Sequence, residues 1–448
     1  MKNQKVLVFG SGISGIGASQ LLEKIGAEVI LYDGNAALDI EMTRSLLGKD
    51  TNVQIVAGDF PEEIMDELDM VVMSPGVPTD LPVVNRMREK GILISGEIEL
   101  AYTYGKGDVL AITGTNGKTT TTALLGEIMK AYKDSVYVVG NIGNPYTTVA
   151  LDMHEDSVAV AEISSFQLET AHTFRPKVSA ILNITPDHLN RHHTMEAYIK
   201  AKEDIAKNQT LEETCVLNYE DEVTRRFGEK VGANVLYFSS QRSLEKGIYL
   251  ENGNMIYKGA EEIVVCHVSE LQLLGTHNYE NVMAAVAMAV AYGVPMDIIR
   301  QVIKAFKGVA HRIEFVAEKK GVFYYNDSKG TNPDAAIKGI QAMNRPTILI
   351  GGGYDKDSEY DEWIESFDGK VKLFVLLGAT REKIAAAARS HGFDKIAMAD
   401  TFEEAVQICV DAAVEGDAVL LSPACASWGM FKNFEERGDK FKELVNAL

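Results

Sequence analysis

Residues 109–122 read VLAITGTNGKTTTT. A short β-branched and apolar run feeds a glycine-rich turn, then Lys118 and four threonines. Strand, Gly-Lys-Thr, helix is the order that builds a phosphate cradle. Gly114 and Gly117 let the backbone wrap closely and turn its N–H groups inward, and the following helix adds the positive end of its dipole. Lys118 brings a point charge to the outer phosphates, and Thr119 a hydroxyl for Mg2+. The general P-loop has a glycine five residues before Gly117, where this chain has Ile112, so the motif is the shortened G-x-x-G-K-T. The bland alternative is a glycine-rich turn capped by threonine.

The bulk numbers bound the rest. A chain of 448 residues holds roughly two to four domains. Its net charge of −20, with no basic run, excludes a nucleic-acid binder and reads as solubility. An anionic substrate must then be met by local Lys, Arg or helix N-termini. The four cysteines form no C-x-x-C pair, so neither zinc nor a disulfide framework is expected. The opening MKNQKVLVFG runs straight into a strand, without the h-region of a signal peptide. The longest apolar run, 282–294, is too short to span a bilayer and ends at Pro295. A cytoplasmic protein without membrane insertion is expected.

Three segments of alternating strands and helices follow, each implying an α/β fold with a parallel sheet. In residues 1–105, a strand at 5–9 leads into Gly10-x-Gly12-x-x-Gly15, and a second strand, 28–32, ends at Asp33. That pattern satisfies the dinucleotide fingerprint. No second half-site completes a dinucleotide fold, and the pyrophosphate of a nucleotide sugar suits the same glycine-lined helix N-terminus. Asp33 could accept from a ribose hydroxyl or a base N–H. Ser74-Pro75-Gly76 forms a second tight turn on the same sheet edge, with plain loop chemistry as the alternative.

Residues 106–308 open with the phosphate loop. The strand 157–163 delivers Glu162 beside it, as a phosphate-bound Mg2+ requires. The strand 178–184 ends in Thr185-Pro186-Asp187-His188, which places His188 at the ligand-binding edge. His192 and His193 read as solvated. On composition alone, Lys200, Lys202 and Lys207 read as surface lysines on a helix starting near Met195. In residues 309–448, strands end in polar turns at 327–332, 351–356, 378–380 and 422–427, a doubly wound sheet with Asp, Lys, Ser and Gly at its ligand edge.

Together these strings resemble the Mur ligases, and within them the branch that adds D-glutamate. The motifs are 114–120, Gly140-Asn-Ile-Gly143, Glu162-Ile-Ser-Ser-Phe-Gln-Leu-Glu169, Gly275-Thr-His-Asn278, His311-Arg312, Asn326-Asp-Ser-Lys-Gly-Thr-Asn332 and Ser422-Pro-Ala-Cys-Ala-Ser427 with Phe431-Lys-Asn-Phe434. The resemblance covers the whole chain. It implies three domains: a Rossmann-like one binding the UDP-sugar (1–105), a central P-loop ATPase-like one (106–308), and a C-terminal Rossmann-like one that binds D-glutamate and closes over ATP (309–448).

It also implies ATP-driven amide synthesis in peptidoglycan precursor formation. The substrate carboxylate attacks the γ-phosphate, and the amine of D-glutamate then displaces phosphate from an acyl phosphate. By this resemblance Lys118, His188 and Lys202 are catalytic, with Lys202 carbamylated. Thr119, Glu162, His188 and carbamylated Lys202 hold two Mg2+ ions. Gly114, Thr115, Asn116, Gly117, Lys118, Thr119, Thr120, Asn278, Asn281, His311, Arg312 and Asp327 bind ATP. Gly12, Ile13, Ser14, Asp33, Ser74, Pro75, Gly76, Asn141 and Ser164 bind UDP-N-acetylmuramoyl-L-alanine. Lys329, Thr331, Lys356, Ser427 and Phe434 bind D-glutamate, with Ser427 expected to open the helix containing Phe431 and Phe434. A monomer is expected, with only small-molecule partners. The alternatives are another amino-acid adder of the group, a folylpolyglutamate synthase, an NAD-dependent oxidoreductase, or a non-catalytic nucleotide-sugar sensor. Tyr354 departs from relatives that carry an acid there, which leaves the role of Asp355 open.

Overall fold

A computed structural model describes residues 2–354 and 358–448. Three sheets follow one another along the chain. Lys356 and Asp355 of the expected ligand turn lie outside the described residues.

The first sheet is wholly parallel. Its strands β1 (Lys5–Phe9), β2 (Glu28–Asp33), β3 (Gln54–Ala57), β4 (Met70–Met73) and β5 (Leu93–Gly96) run in the order 3-2-1-4-5. Val6, Leu7 and Val8 are apolar on both faces and fully buried, as a strand covered by helices on both sides demands. The order reverses between β1 and β4. Turns leaving those two strands therefore part to opposite faces and open a crevice at their C-terminal ends.

The second sheet contains β6 (Asp108–Thr113), β7 (Val136–Gly140), β8 (Val158–Glu162), β9 (Val178–Ile181), β10 (Thr214–Asn218), β11 (Asn234–Ser239), β12 (Gly247–Glu251), β13 (Asn254–Lys258) and β14 (Glu262–His267). The order is 14-13-12-11-10-9-6-8-7. Strand β6 lies between β8 and β9, with Ile112 paired to Glu162 and Thr113 to Ile181. The phosphate loop, Glu162 and the 183–188 loop therefore leave the sheet side by side. The far end is a hairpin extension the motifs did not foretell. Asn252 and Gly253, both left-handed (φ 51° and 78°), make the tight turn between antiparallel β12 and β13.

The third sheet has β15 (Glu314–Lys319), β16 (Val322–Asn326), β17 (Thr347–Gly351), β18 (Val371–Leu376), β19 (Ile396–Met398) and β20 (Ala418–Leu421), ordered 15-16-20-17-18-19. Only β15 runs antiparallel to its neighbour, through a tight turn at Lys320-Gly321. The turns after β16, β17 and β20 share one edge.

The chain divides into two compact units. One comprises 1–266 and 280–302, the other 267–279 and 303–448. In the first, Val6, Val8 and Leu31 of the first sheet share a continuous core with Val109, Ala111 and Ala159 of the second. In the second, separate clusters cover the two faces of the third sheet, one around Trp363 and Phe374, the other around Phe402 and Phe441. Among the described residues, no helix is long and apolar enough to cross a membrane, and all four cysteines are buried thiols outside any disulfide.

Candidate functional site

The phosphate loop is built on two glycines that nothing larger can replace. Gly117 is left-handed (φ 87°), and a Cβ there would stand 2.1 Å from Asn281 Oδ1. Gly114 has φ 154° and faces Leu182. The helix Lys118–Lys130 starts directly after Gly117, without a side-chain cap, so its first N–H groups are left to a ligand. Asn183 braces the loop, accepting from the amide of Asn116 at 2.8 Å and donating to its carbonyl.

Lys118 Nζ donates to the Gly114 carbonyl (2.8 Å) and the Thr115 carbonyl (3.0 Å). Lys202 Nζ donates to the same Gly114 carbonyl at 2.7 Å. Lys202 is 2 % exposed, so its reading as a surface lysine is wrong. Its helix, Met195–Glu203, turns Tyr198, Ala201 and Lys202 inward. Burial, then the charge of Lys118, pushes its amine down to about 7, against the pull of Asp187. Tyr198 flanks it, with its hydroxyl 3.0 Å from Thr115 Oγ1.

Glu162 is 2 % exposed at the end of β8. One carboxylate oxygen accepts from Asn141 Nδ2 at 2.9 Å; the other, Oε2, is buried with no protein partner. A buried carboxylate oxygen left open fits a cation. Among the described residues no three His, Cys, Asp or Glu groups cluster as a ready metal cage, so phosphate oxygens and water would complete any shell. His188 is half exposed and left-handed (φ 53°), with its ring against Phe166. A non-glycine residue held there stores strain of the kind that clusters at ligand sites. His192 is not solvated, as the sequence suggested. It is buried between Phe166 and Tyr198, and its Nε2 meets Ser165 Oγ at 2.9 Å. His193 is exposed and faces Asp80. Lys200 pairs with Asp204 near the surface, and Lys207 reaches the Ala171 carbonyl.

At the first sheet's switch point, the helix Ile13–Lys24 begins after Gly12 with no side-chain cap, and Ile13 is exposed. Ser74 Oγ donates to the Gly10 carbonyl at 3.0 Å, so the Ser74-Pro75-Gly76 turn is joined to the glycine turn. Asp33 Oδ2 accepts from both the amide and the hydroxyl of Ser11, at 2.9 and 2.6 Å. Burial works against its charge, but these bonds and the Asn35 amide hold its carboxyl below the usual range. Oxygen Oδ1 also takes the Asn35 amide, so Asp33 shapes the turn first of all.

In the second unit, His311 (φ 63°) and Ile313 (φ 46°) are both left-handed and flank exposed Arg312. For β-branched Ile313 that conformation is costly. Asp327 holds the turn: Oδ1 accepts from the Ile313 amide (3.2 Å) and Oδ2 from Ser422 Oγ (2.7 Å). Burial pushes Asp327 up to about 7, with Ser422 and Arg312 opposing. Asn326 Nδ2 donates to His311 Nδ1, and the His311 ring packs edge-on against Phe434. Lys329 Nζ lies 5.6 Å from the centre of that same ring. Asn278 Nδ2 donates to the Leu274 carbonyl. Thr331 is half-buried and Ser427 buried.

Models of three families match the chain in order: the Mur ligase MurD-like N-terminal domain over residues 4–96, the Mur ligase middle domain over 112–289, and the Mur ligase glutamate ligase domain over 311–425. The chain belongs to the Mur ligase family. It is 59% identical to the UDP-N-acetylmuramoylalanine--D-glutamate ligase of Lachnoclostridium phytofermentans, over 99% of this chain and 98% of the relative. It is 57% identical to the enzyme of that name from Lachnospira eligens, over the full length of both. Among solved structures it resembles the MurF ligase of Thermotoga maritima in complex with ADP, with a TM-score of 0.57 at 18% identity, covering 100% of this chain and 96% of that one.

In this Mur ligase, Ser427 does not open the last helix. Gly429 (φ 87°) breaks the chain there, and the helix Phe434–Asn446 is capped by Asn433, which accepts from the Glu436 amide. Phe431 thus lies before the helix. Sequence reading also missed Arg437, which is 1 % exposed. Its guanidinium donates to Ser328 Oγ (2.9 Å), the Ser328 carbonyl (2.8 Å) and the Cys425 carbonyl (3.1 Å), clamping together the two turns that carry the Mur ligase C-terminal motifs. An arginine on the inward stripe of an amphipathic helix was the available signal.

Proposed function

We propose that this Mur ligase joins D-glutamate to UDP-N-acetylmuramoyl-L-alanine, driven by ATP, in peptidoglycan precursor synthesis. Near-full-length identity of 59% and 57% to ligases of that name carries the reading. It is an ATP-dependent, amide-bond-forming enzyme. Residues 1–105 bind the UDP-sugar through Gly12, Ile13, Ser14, Asp33, Ser74, Pro75 and Gly76, with Asn141 and Ser164 from the second sheet. Residues 106–308 hold the triphosphate, and 309–448 bring Arg312, Asp327 and the D-glutamate groups Lys329, Thr331, Lys356, Ser427 and Phe434. The enzyme works as a cytoplasmic monomer.

Phosphoryl transfer needs charge neutralisation and positioning more than covalent help. Lys118 and the bare helix N-terminus take up the charge of the γ-phosphate. Asn281 lies against Gly117 and fixes the loop's depth. Mg2+ bound there would neutralise phosphate charge, held by Thr119 and the open oxygen of Glu162. His188 and Lys202 would hold a second ion. Lys202 in its neutral form is nucleophilic enough to take up CO2, and the resulting carbamate turns a cation into a carboxylate-like ligand. Leftward strain at His311 and Ile313 presents Arg312 outward. The lysines at 329 and 356 offset the two carboxylates of D-glutamate in a chain of charge −20.

The test is phosphate release with ATP, UDP-N-acetylmuramoyl-L-alanine and D-glutamate, set beside L-glutamate, L-lysine and a folate. Release that requires D-glutamate is expected. Release indifferent to the amino acid overturns the assignment.

A further inference from the structure

Glu97 opens the helix Glu97–Tyr104, directly after β5. It is 2 % exposed on a helix whose next four residues are also buried, an expensive place for a carboxyl. Its Oε1 accepts from Gln167 Nε2 at 2.6 Å, while Oε2 is buried with no protein partner. Burial raises the carboxyl to about 7 despite the Gln167 bond, so much of it is the neutral acid near neutrality.

Gln167 is committed at its other end. Its Oε1 accepts from the Ser164 amide (2.8 Å) and from Ser164 Oγ (3.1 Å), and its own amide donates to Ser164 Oγ (3.3 Å). The carboxamide therefore has one orientation: oxygen to Ser164, nitrogen to Glu97. Glu97 and Gln167 wall a crevice with Ser74, Pro75 and Thr170 that has no room for a water molecule. Glu97 can thus act on a ligand only through its neighbours.

We propose that Glu97 is a positioning residue for the UDP-sugar substrate, holding the Gln167 carboxamide so that the Ser164 turn and the Ser74-Pro75 turn keep a fixed spacing. This rests on the substrate reading above, which gives Ser164, Ser74 and Pro75 to the UDP-sugar. Without an acceptor at position 97, the buried nitrogen of Gln167 is unsatisfied, and rotation of the amide releases the Ser164 N–H. The chemistry at the γ-phosphate is untouched.

The test measures Kd for UDP-N-acetylmuramoyl-L-alanine by calorimetry, together with KM for each substrate and kcat, in full-length variants. Glu97→Leu is expected to weaken the UDP-sugar about tenfold, the scale of one lost buried hydrogen bond, with KM for ATP and kcat within about twofold. Gln167→Leu should match it, and the double variant should be no weaker than either single one. Glu97→Gln restores the acceptor and should return Kd to within about threefold of wild type. If Glu97→Leu does not fold, Glu97→Asp, with its shorter reach, carries the same comparison. A purely structural role would lower the melting temperature with the UDP-sugar Kd unchanged, or weaken ATP equally; either overturns the proposal, as does a Glu97→Gln variant as weak as Glu97→Leu. A wild-type enzyme that binds the UDP-sugar but ignores D-glutamate defeats the proposed function and leaves the Kd series to decide Glu97.

Discussion

The side-chain amines of Lys118 and Lys202 donate to one acceptor, the carbonyl oxygen of Gly114, at 2.8 and 2.7 Å. Two cations on one oxygen repel each other, and Lys202 yields because it is the more buried. The phosphate loop thus places beside Lys118 an amine that titrates near neutrality.

The carbamate proposed on Lys202 depends on that amine being neutral. ¹³CO2 at pH 8 should give a carbamate signal that disappears in Lys202→Arg. Lys202→Ala should lose about 10²–10³-fold in kcat, the scale of one removed electrostatic group, and regain part of it with a short carboxylic acid. No added signal and no rescue would sink the idea.

Lys118→Ala should abolish turnover, and near-wild-type rates would remove the loop from the mechanism. The substitution has a second effect with a definite sign. Without the Lys118 charge, the second cause after burial, the Lys202 amine rises above about 7, less of it is neutral at pH 8, and the carbamate signal should fall. An unchanged signal would mean Lys118 does not tune its neighbour.

Burial of Glu97 predicts a stability profile. Its carboxyl moves from 4.5 to about 7 on folding, so the stabilising effect is complete below about 4.5 and is lost as pH rises through 7. Over that window wild type should lose up to about 3 kcal/mol relative to Glu97→Gln, at ~1.4 kcal/mol per unit. Melting curves of the pair from pH 5 to 8 check this, and parallel curves would refute it.

Removing the clamp on the C-terminal turns should be costly. Arg437→Met leaves the Ser328 and Cys425 carbonyls unsatisfied, at about 1–3 kcal/mol each. KM for D-glutamate should rise more than KM for the UDP-sugar. Equal changes in both would leave Arg437 a fold-stabilising residue only.

The phosphate loop, the glycine turn after β1, and the polar turns of the third sheet were legible because each needs particular residues in a fixed order. His192 and Arg437 were not, and Lys202 was singled out only through the family resemblance. A lysine, a histidine and an arginine on amphipathic helices look the same whether they face water or the core, and only packing by Tyr198, Phe166 or Ser328 decides. The hairpins at 247–267 carry no ligand chemistry, so no motif marked them. Ser427 was misplaced because Gly429 can interrupt a helix that its neighbours would otherwise continue.

The core shared by Val6 and Val8 with Val109 and Ala111 also governs how the protein melts. The first sheet has no private interior on that face to survive with, so heat should not strip it from the second sheet. Calorimetry should find the two sheets leaving together in one cooperative transition, and a ligand gripped by either should postpone the collapse of both.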